Sequence, residues 1–360
     1  MELTETQKYY NNTEYISQSD LKRLLKGPHF FVEGETSDLY FEEKKYFTLG
    51  KLVDALVTTP GFVDIEFHIS TLENVPSDLI KSIIQQVYDN YYKPEIGDDI
   101  RSYADNILTC CNDHNYQINW KDQTRVNKIC EYYEYWKELI DSANKIIVDK
   151  ETYELAISLA EKVKLGEYTK EYFDYNPNKE ILYQVPIYFE YQDVKCKSLL
   201  DMIIIDNENK TIQPIDIKTI GDSIFTFQKA LKYRRYDIQA AFYTLALEYY
   251  IKQNKLEGYE ILPFKFIVCS TTNLKEPAAV YTCTENTLFV GQYGKNPEVI
   301  FNPVDNIEYV NLNYVKGFEE LLEDYKWYMS KSFETDRILE EQLGELLLDY
   351  DKGMILPLKE

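Results

Sequence analysis

The chain has 360 residues, of which 44% are hydrophobic and 28% charged, and it carries a formal net charge of −22. This length allows one large domain or two small ones with a buried core, and the composition excludes a disordered chain or a membrane protein. No run of 18 apolar residues and no secretory signal occur, so no transmembrane helix and a cytoplasmic location are expected.

The cysteines and histidines suggest no metal centre of their own. The six cysteines include no CxxC pair and have no histidines nearby at zinc spacing, so they are interpreted as reduced structural thiols. The three histidines are too few and too scattered for a histidine-based catalytic site.

The first half of the chain has mainly helical patterns. Residues 1–14 are polar and are expected to be loose. Ser17, followed three residues later by Asp20, predicts a capped helix that runs through Lys22 and ends before Gly27. Further helices are predicted at 47–58, 77–91, 98–112, 124–143 and 150–164.

The pattern changes near residue 180, where alternating and β-branched residues predict three strands joined by hairpins. The three strands are expected at 181–191, 195–206 and 211–220, followed by one long helix at 223–252, strands at 264–271 and 279–284, and helices at 310–332 and 334–348. This order predicts an α/β (α+β) fold, a central mixed sheet flanked by helices behind a largely helical N-terminal half. The expected regions are 1–175, 176–300 and 301–360, and they could form one integrated domain.

Three charged residues on the predicted hairpin form the main candidate site. Asp201 lies in a strongly apolar strand, where an unpaired carboxylate would be costly to bury. Asp216 and Lys218 are two residues apart on the next strand, so their side chains share one face. Two carboxylates and the main-chain carbonyl of Ile217 offer the hard oxygen ligands that Mg²⁺ or Mn²⁺ prefers, and such a metal can assist phosphodiester hydrolysis.

The spacing of Asp201, Asp216 and Lys218 resembles the signature of the PD-(D/E)xK nuclease superfamily. Downstream, Gln239 and Tyr243 are similar to the QxxxY helix motif of its RecB-like branch. Because positions i and i+4 share one face of a helix, both side chains can point at the sheet.

Two upstream segments resemble the exodeoxyribonuclease VIII (RecE-like) and phage recombination exonuclease group. The segment 15–22 is similar to an IS.S.LK helix, and the segment 49–56 is similar to a helix whose histidine ligates metal. Asp54 stands in place of that histidine, so its metal role is an expectation that departs from the pattern. Glu180, at the start of the first core strand, is a further candidate metal contact.

The resemblance implies a sheet of the restriction-endonuclease-like type and Mg²⁺-dependent digestion of double-stranded DNA from its ends, with Mn²⁺ able to substitute. It implies a role in recombination or repair in a bacterial or phage-infected cell, beside a single-strand annealing protein. Rings of identical subunits are common among such relatives, and a ring is a hypothesis here. Lys218 would orient the attacking water, while Gln239 and Tyr243 would steady the lysine and the DNA phosphate.

The charge of one segment is compatible with DNA binding, although the chain as a whole is acidic. From residue 193 to residue 235, eight Lys and Arg stand against six Asp and Glu, a local charge of +2 that leaves −24 for the rest. Lys229, Lys232, Arg234 and Arg235 precede Gln239 on the predicted long helix and are candidate phosphate contacts, and Lys22 on the first helix is another.

Two alternatives stay open. One is a structure-specific endonuclease, although a Cas4-like enzyme would need four cluster cysteines that this pattern does not supply. The other is a catalytically inactive nuclease fold that serves as a DNA-binding protein.

Overall fold

The computed structural model describes residues 5–33, 40–142, 145–295, 298–302, 307–311, 315–333, 337, 347–348 and 355–356. Its helices are α1 (Glu5–Asn11), α2 (Gln18–Arg23), α3 (Pro28–Glu33), α4 (Tyr40–Thr58), α5 (Val63–Glu66), α6 (Asp78–Tyr91), α7 (Ala104–Asp113), α8 (Asp122–Cys130), α9 (Tyr133–Asp141), α10 (Lys150–Leu165), α11 (Phe227–Tyr233), α12 (Tyr236–Gln253), α13 (Glu285–Tyr293) and α14 (Phe318–Ser330). Its strands are β1 (Phe67–Ile69), β2 (Ile146–Val148), β3 (Lys179–Tyr191), β4 (Val194–Asp206), β5 (Thr211–Ile220), β6 (Glu260–Ile261), β7 (Lys265–Ser270), β8 (Ala279–Thr282), β9 (Glu298–Asn302), β10 (Ile307–Asn311), β11 (Leu347–Leu348) and β12 (Ile355–Leu356). No helix among the described residues is long and apolar enough to cross a membrane.

The chain divides into two compact units. The sheet unit comprises Met1–Ser37 and Glu161–Glu360, and the helical unit comprises Asp38–Ala160. These units differ from the predicted regions 1–175, 176–300 and 301–360, because the first residues of the chain pack onto the sheet instead of joining the helices that follow them. The helical unit holds α4 to α9 and a short parallel pair, β1 with β2, around a core that includes Trp136, Tyr103 and Ile83.

The sheet unit contains a six-stranded mixed sheet in the order β3-β4-β5-β7-β8, with β6 also beside β5. The hairpins β3-β4 and β4-β5 are antiparallel, whereas β5 runs parallel to β6 and β7. The three predicted hairpin strands and the two later strands are therefore confirmed, and so is the predicted mixed sheet flanked by helices. Buried residues dominate β4 and β5, and β5 is rich in β-branched residues, which fits strands in the interior of a sheet.

Helix α12 packs across β3 and β4 and supplies much of the core. It contributes Ile238, Phe242 and Leu247, each fully buried. Helix α13 lies close against α12 at Gly291, where a Cβ atom would stand 2.1 Å from the main-chain oxygen of Asp237. Only glycine allows this approach of the two backbones.

The N-terminal segment is ordered on the sheet, so the expectation that residues 1–14 are loose is wrong for the part described from Glu5 onward. Helix α1 buries Tyr9, and Ile16 pairs with β4 through main-chain hydrogen bonds to Lys195 and Lys197. The buried ammonium of Lys197 donates to the carbonyl oxygens of Tyr9 at 2.8 Å and Asn12 at 2.6 Å. These bonds fix α1 beside the middle of β4.

The capped helix predicted at Ser17 is confirmed. The side chain of Ser17 accepts the main-chain N–H of Asp20, and the carboxylate of Asp20 accepts the main-chain N–H of Ser17. This reciprocal pair satisfies two donors at the start of α2 and sets the direction in which the helix leaves the edge of β4.

The single helix predicted at 223–252 is wrong, because α11 ends at Tyr233 and α12 begins at Tyr236. Between them, Arg235 has a left-handed backbone with φ 51°. Its guanidinium donates to the carboxylate of Asp237 at 2.9 Å and to the carbonyl oxygen of Lys316 at 2.6 Å. These two contacts compensate for the strain of a left-handed arginine, so the chain turns without a glycine or a proline.

Other predicted helices need smaller corrections. The helix at 124–143 is two helices, α8 and α9, and the first part of the helix at 98–112 is a 3₁₀ turn at Ile100–Tyr103. The helix at 310–332 begins only at Phe318, because Ile307–Asn311 pairs with β9. The residue before α14, Gly317, approaches Gly294 so closely that a Cβ atom on it would stand 2.3 Å from the main-chain nitrogen of Gly294. The helix predicted at 334–348 lies largely outside the described residues.

Candidate functional site

Strands β4 and β5 separate at the position of Asp201. Their pairing runs from Asp206 opposite Thr211 to Met202 opposite Ile215, and beyond that β5 continues beside β7. Asp201 is the next residue of β4, and its Oδ2 accepts the main-chain N–H of Ile217 at 2.9 Å. The carboxylate thus bridges the two strands where their main-chain ladder stops, and this contact holds the two aspartate-bearing strands together.

Asp216 and Lys218 project from the same face of β5, as the strand period requires. Asp216 is 1% exposed, and its Oδ2 lies 2.5 Å from the Nζ of Lys218. Burial acts to lower the pKa of Lys218, but the carboxylates of Asp216 and Asp201 outweigh it and raise that pKa above its ordinary value. The lysine is therefore charged at neutral pH, held against the aspartate.

Helix α12 brings Gln239 and Tyr243 to this pair from above the sheet. The Nε2 of Gln239 donates to Oδ1 of Asp216 at 2.7 Å, so the glutamine contacts the carboxylate and not the lysine that it was expected to steady. Burial raises the pKa of Tyr243 well above its ordinary value, and the nearby Tyr9 and the carboxylates of Asp216 and Asp201 raise it further. Tyr243 therefore keeps its hydroxyl proton.

Lys22 also reaches this site, together with a ring that sequence reasoning missed. The Nζ of Lys22 lies 5.8 Å from the ring centre of Tyr236, and the Nζ of Lys218 lies 5.1 Å from the same ring. Lys22 also donates to the carbonyl oxygen of Arg234 at 3.3 Å. Tyr236 stands three residues before Gln239, so helical spacing to the QxxxY motif could have identified it.

The pKa of Lys22 is lowered to about 8, chiefly by burial and also by the ammonium of Lys218, while the carboxylate of Asp216 opposes the change. Two positive side chains thus lie close to one aromatic ring of the site. Such a pair favours an anion, because a negative ligand would relieve the repulsion between the two ammonium groups.

Tyr9 is a second residue that sequence reasoning missed. It is buried on β4, and its ring stands over the Nζ of Lys197 at 4.7 Å. Burial raises its pKa above the ordinary value, as do Tyr10 and Asp20, so its hydroxyl is protonated. No motif marks Tyr9, because its position depends on the long-range pairing of Ile16 with β4.

The strand opposite Asp201 is strained. Tyr183 pairs with Met202 and Val185 pairs with Leu200, so the register places Gln184 across from Asp201. Gln184 has φ 49°, a left-handed backbone that is unusual for a glutamine inside a strand and costs about 1 to 3 kcal/mol. Strain of this size is commonly found at functional sites, which agrees with the position of Asp201.

The other predicted residues lie elsewhere. Glu180 is exposed and pairs with Ile205, four residues along β3 from Gln184 or roughly 13 Å, so the structure does not support it as a metal contact. Asp54 lies on α4 of the helical unit, and its metal role stays a prediction.

The four basic residues before Gln239 do not form one helical row. Lys229 and Lys232 are exposed on α11, and Arg234 is exposed just after it. Arg235 is instead held by Asp237 and the carbonyl oxygen of Lys316, and its contact with DNA stays a prediction.

The donor set fits a hard divalent cation. Asp201 and Asp216 supply carboxylate oxygens, and Ile217, the residue after Asp216, supplies a main-chain carbonyl oxygen. Oδ2 of Asp216 is buried without a hydrogen bond, and it forms an ion pair with Lys218. Across the described residues, no group of three or more His, Cys, Asp or Glu side chains is placed to hold a metal, so a cation here would depend on two carboxylates, main chain and water.

Comparisons with known proteins add little. No protein-family model matches the chain, and no curated protein matches it by sequence. One similar solved structure is that of a protein from Eubacterium rectale described as a "Putative exonuclease", with 16% identity over 80% of each chain and a TM-score of 0.40. A likeness of this size carries no argument about activity.

Proposed function

We propose that this chain is a metal-dependent nuclease that hydrolyses phosphodiester bonds in DNA. The observation that supports this most directly is the convergence of Asp201, Asp216 and Lys218 where β4 and β5 separate. Two carboxylates and a charged lysine lie together where the pairing of these strands ends, and such a group can bind a cation and a phosphate side by side.

The residues would divide the chemistry as follows. Asp201, Asp216 and the carbonyl of Ile217 would hold Mg²⁺ or Mn²⁺, which when bound supplies a positive charge that stabilises the phosphate oxygens in the transition state. Lys218 is charged and cannot act as a base in this form, so it would orient the attacking water through hydrogen bonds and balance charge. Gln239 fixes the rotamer of Asp216 by its 2.7 Å hydrogen bond.

Lys22 and Tyr243 would contact the substrate phosphate. The Lys22 ammonium lies beside Tyr236 near Lys218, and Tyr243 remains a hydroxyl donor because its pKa is raised. The finer expectations, namely action on double-stranded ends, a part in recombination and an annealing partner, are supported by the resemblance of the motifs alone.

Linear and circular duplex DNA distinguish the versions of this proposal. With Mg²⁺ or Mn²⁺, an exonuclease should shorten the linear substrate and leave closed circles intact, whereas an endonuclease should nick the circles. Lys218→Ala should remove either activity, because the water loses its positioning group. Absence of cleavage with both metals would contradict the proposal and favour an inactive DNA-binding fold.

Lys22 predicts a pH dependence of DNA binding. With a pKa lowered to about 8, it is charged below that pH and neutral above it, so affinity measured without divalent metal should fall from about pH 7 to about pH 9. Lys22→Arg keeps the charge throughout this range and should bind with little pH dependence. If the affinity of Lys22→Arg for DNA falls by as much over the same pH range, a group other than Lys22 controls the pH dependence.

A further inference from the structure

The segment leading into α12 exposes two large aromatic side chains. Phe225 is 79% exposed and Tyr233 is 88% exposed. Lys229 and Lys232 are exposed as well. Lys229, Lys232 and Tyr233 share one face of α11 at i, i+3 and i+4, and Phe225 lies in the 3₁₀ turn Ile224–Thr226 just before α11. We name this set the aromatic–lysine face.

The opposite side of the same segment is firmly anchored. Phe227 is fully buried, and its ring lies 5.4 Å from that of Phe266 and 5.0 Å from that of Tyr281. The carboxylate of Glu276 accepts the hydroxyl of Ser223 at 2.6 Å and the main-chain N–H of Ile224 at 2.9 Å. The aromatic–lysine face is therefore presented to solvent by a fixed element.

This face leads directly to the candidate site. Arg234, the residue after α11, accepts the hydrogen bond of Lys22 through its carbonyl oxygen. Two residues later, the ring centre of Tyr236 lies 5.8 Å from the ammonium group of Lys22 and 5.1 Å from that of Lys218. A nucleic-acid strand that crosses the aromatic–lysine face can thus continue to Lys218 while it stays close to positively charged side chains.

We propose that the aromatic–lysine face binds a single-stranded segment of DNA next to the cleavage site. Bases stack on aromatic rings whatever their sequence, and the two lysines that lie between the aromatic residues along the chain can contact the phosphates of the same strand. Positive charge at this face contrasts with the net charge of −22 of the whole chain, so the surface selects a polyanion. The proposal deepens the proposed nuclease function and rests on it for the choice of DNA.

Binding without cleavage tests this surface. The full chain, in EDTA, is titrated against a labelled oligothymidylate and a labelled blunt duplex, and anisotropy gives both affinities. Phe225→Ala/Tyr233→Ala should weaken oligothymidylate binding by about 5- to 150-fold for each stacked base lost, and should leave the blunt duplex within about twofold. Lys229→Gln/Lys232→Gln should lower the slope of log affinity against log salt by about 1.4, roughly 0.7 for each contact.

The chain supplies a matched control. Phe289 and Tyr293 on α13 are also exposed and also i, i+4, with rings 4.9 Å apart, but no lysine lies within α13. Phe289→Ala/Tyr293→Ala should bind oligothymidylate as the unaltered chain does. An equal loss in this variant, or no loss in Phe225→Ala/Tyr233→Ala, overturns the proposal.

Two further outcomes separate this inference from its basis. If the unaltered chain binds anionic phosphatidylglycerol vesicles through Phe225 and Tyr233 but not oligothymidylate, the face is a membrane surface and the proposal fails. If the face binds oligothymidylate but no DNA is cleaved with Mg²⁺ or Mn²⁺, the nuclease proposal fails and the binding surface stands.

Discussion

Replacing Asp216 with asparagine should lower metal-dependent DNA cleavage by about 100- to 1,000-fold, the loss typical of removing one preorganised electrostatic contact at a reaction centre. Asparagine keeps an oxygen that can accept the Gln239 hydrogen bond, so the change removes the charge and little else. It leaves the ammonium of Lys218 without its partner, which should also lower the free energy of unfolding by about 3 kcal/mol. Cleavage rates and thermal unfolding measure the two effects separately.

Asp206 provides the control for this variant. Like Asp216 of β5 it is nearly buried, but it lies at the end of β4 and accepts the main-chain N–H groups of Glu208 and Asn209. Asp206→Asn should destabilise the protein and leave cleavage per folded molecule unchanged. If Asp216→Asn cleaves at the unaltered rate, Asp216 neither binds the metal nor controls Lys218.

Replacing Gly291 with alanine should destabilise the sheet unit by about 2 kcal/mol or more. The new Cβ would stand 2.1 Å from the main-chain oxygen of Asp237, and a backbone oxygen in the first turn of the packed helix α12 cannot move aside without shifting the helix. Helix α13 must therefore shift away from α12, the helix that carries Gln239. Urea unfolding should show the loss, and cleavage should fall as well, because small displacements of catalytic groups are costly.

Gly221→Ala is the matched change in the same unit. No atom lies within 4 Å of the position of its Cβ, and its backbone is not in the region that requires glycine. Its unfolding free energy should stay within about 0.5 kcal/mol of the unaltered value. Equal stability of the two variants would mean that α12 and α13 are packed less closely than the structure indicates.

The strands of the sheet could be predicted because the local sequence pattern determines where each strand lies. The alternating and apolar runs of β3, β4 and β5 and the polar turn at 207–210 specify their own pairing, and Asp216 and Lys218 share a face by strand period alone. The 2.7 Å hydrogen bond from Gln239 to Asp216 shows that the helix motif and the strand motif meet in space. What these residues catalyse is a proposal that the cleavage assays test.

What escaped prediction depends on contacts distant in sequence. The left-handed Arg235 needs Lys316, which is 81 residues away, and nothing near Arg235 marks a break in an apolar helix without proline. Glu180 was a candidate metal contact because it lies at the start of a core strand. The register of β3 with β4 places it opposite Ile205, away from Asp201. The beginning of α14 depends on the close approach of Gly317 to Gly294, which a single helical pattern does not reveal.

The contacts that anchor α1 also determine when this protein can finish folding. Tyr9 and Lys197 contact each other across 188 residues, so α1, which is synthesised before β4, lacks this partner until β4 has been made. Contacts of such sequence separation raise the contact order, and their closure entropy must be overcome before they stabilise anything. On the ribosome, α1 therefore emerges well before β4 and reaches its native position only after β4 has followed it.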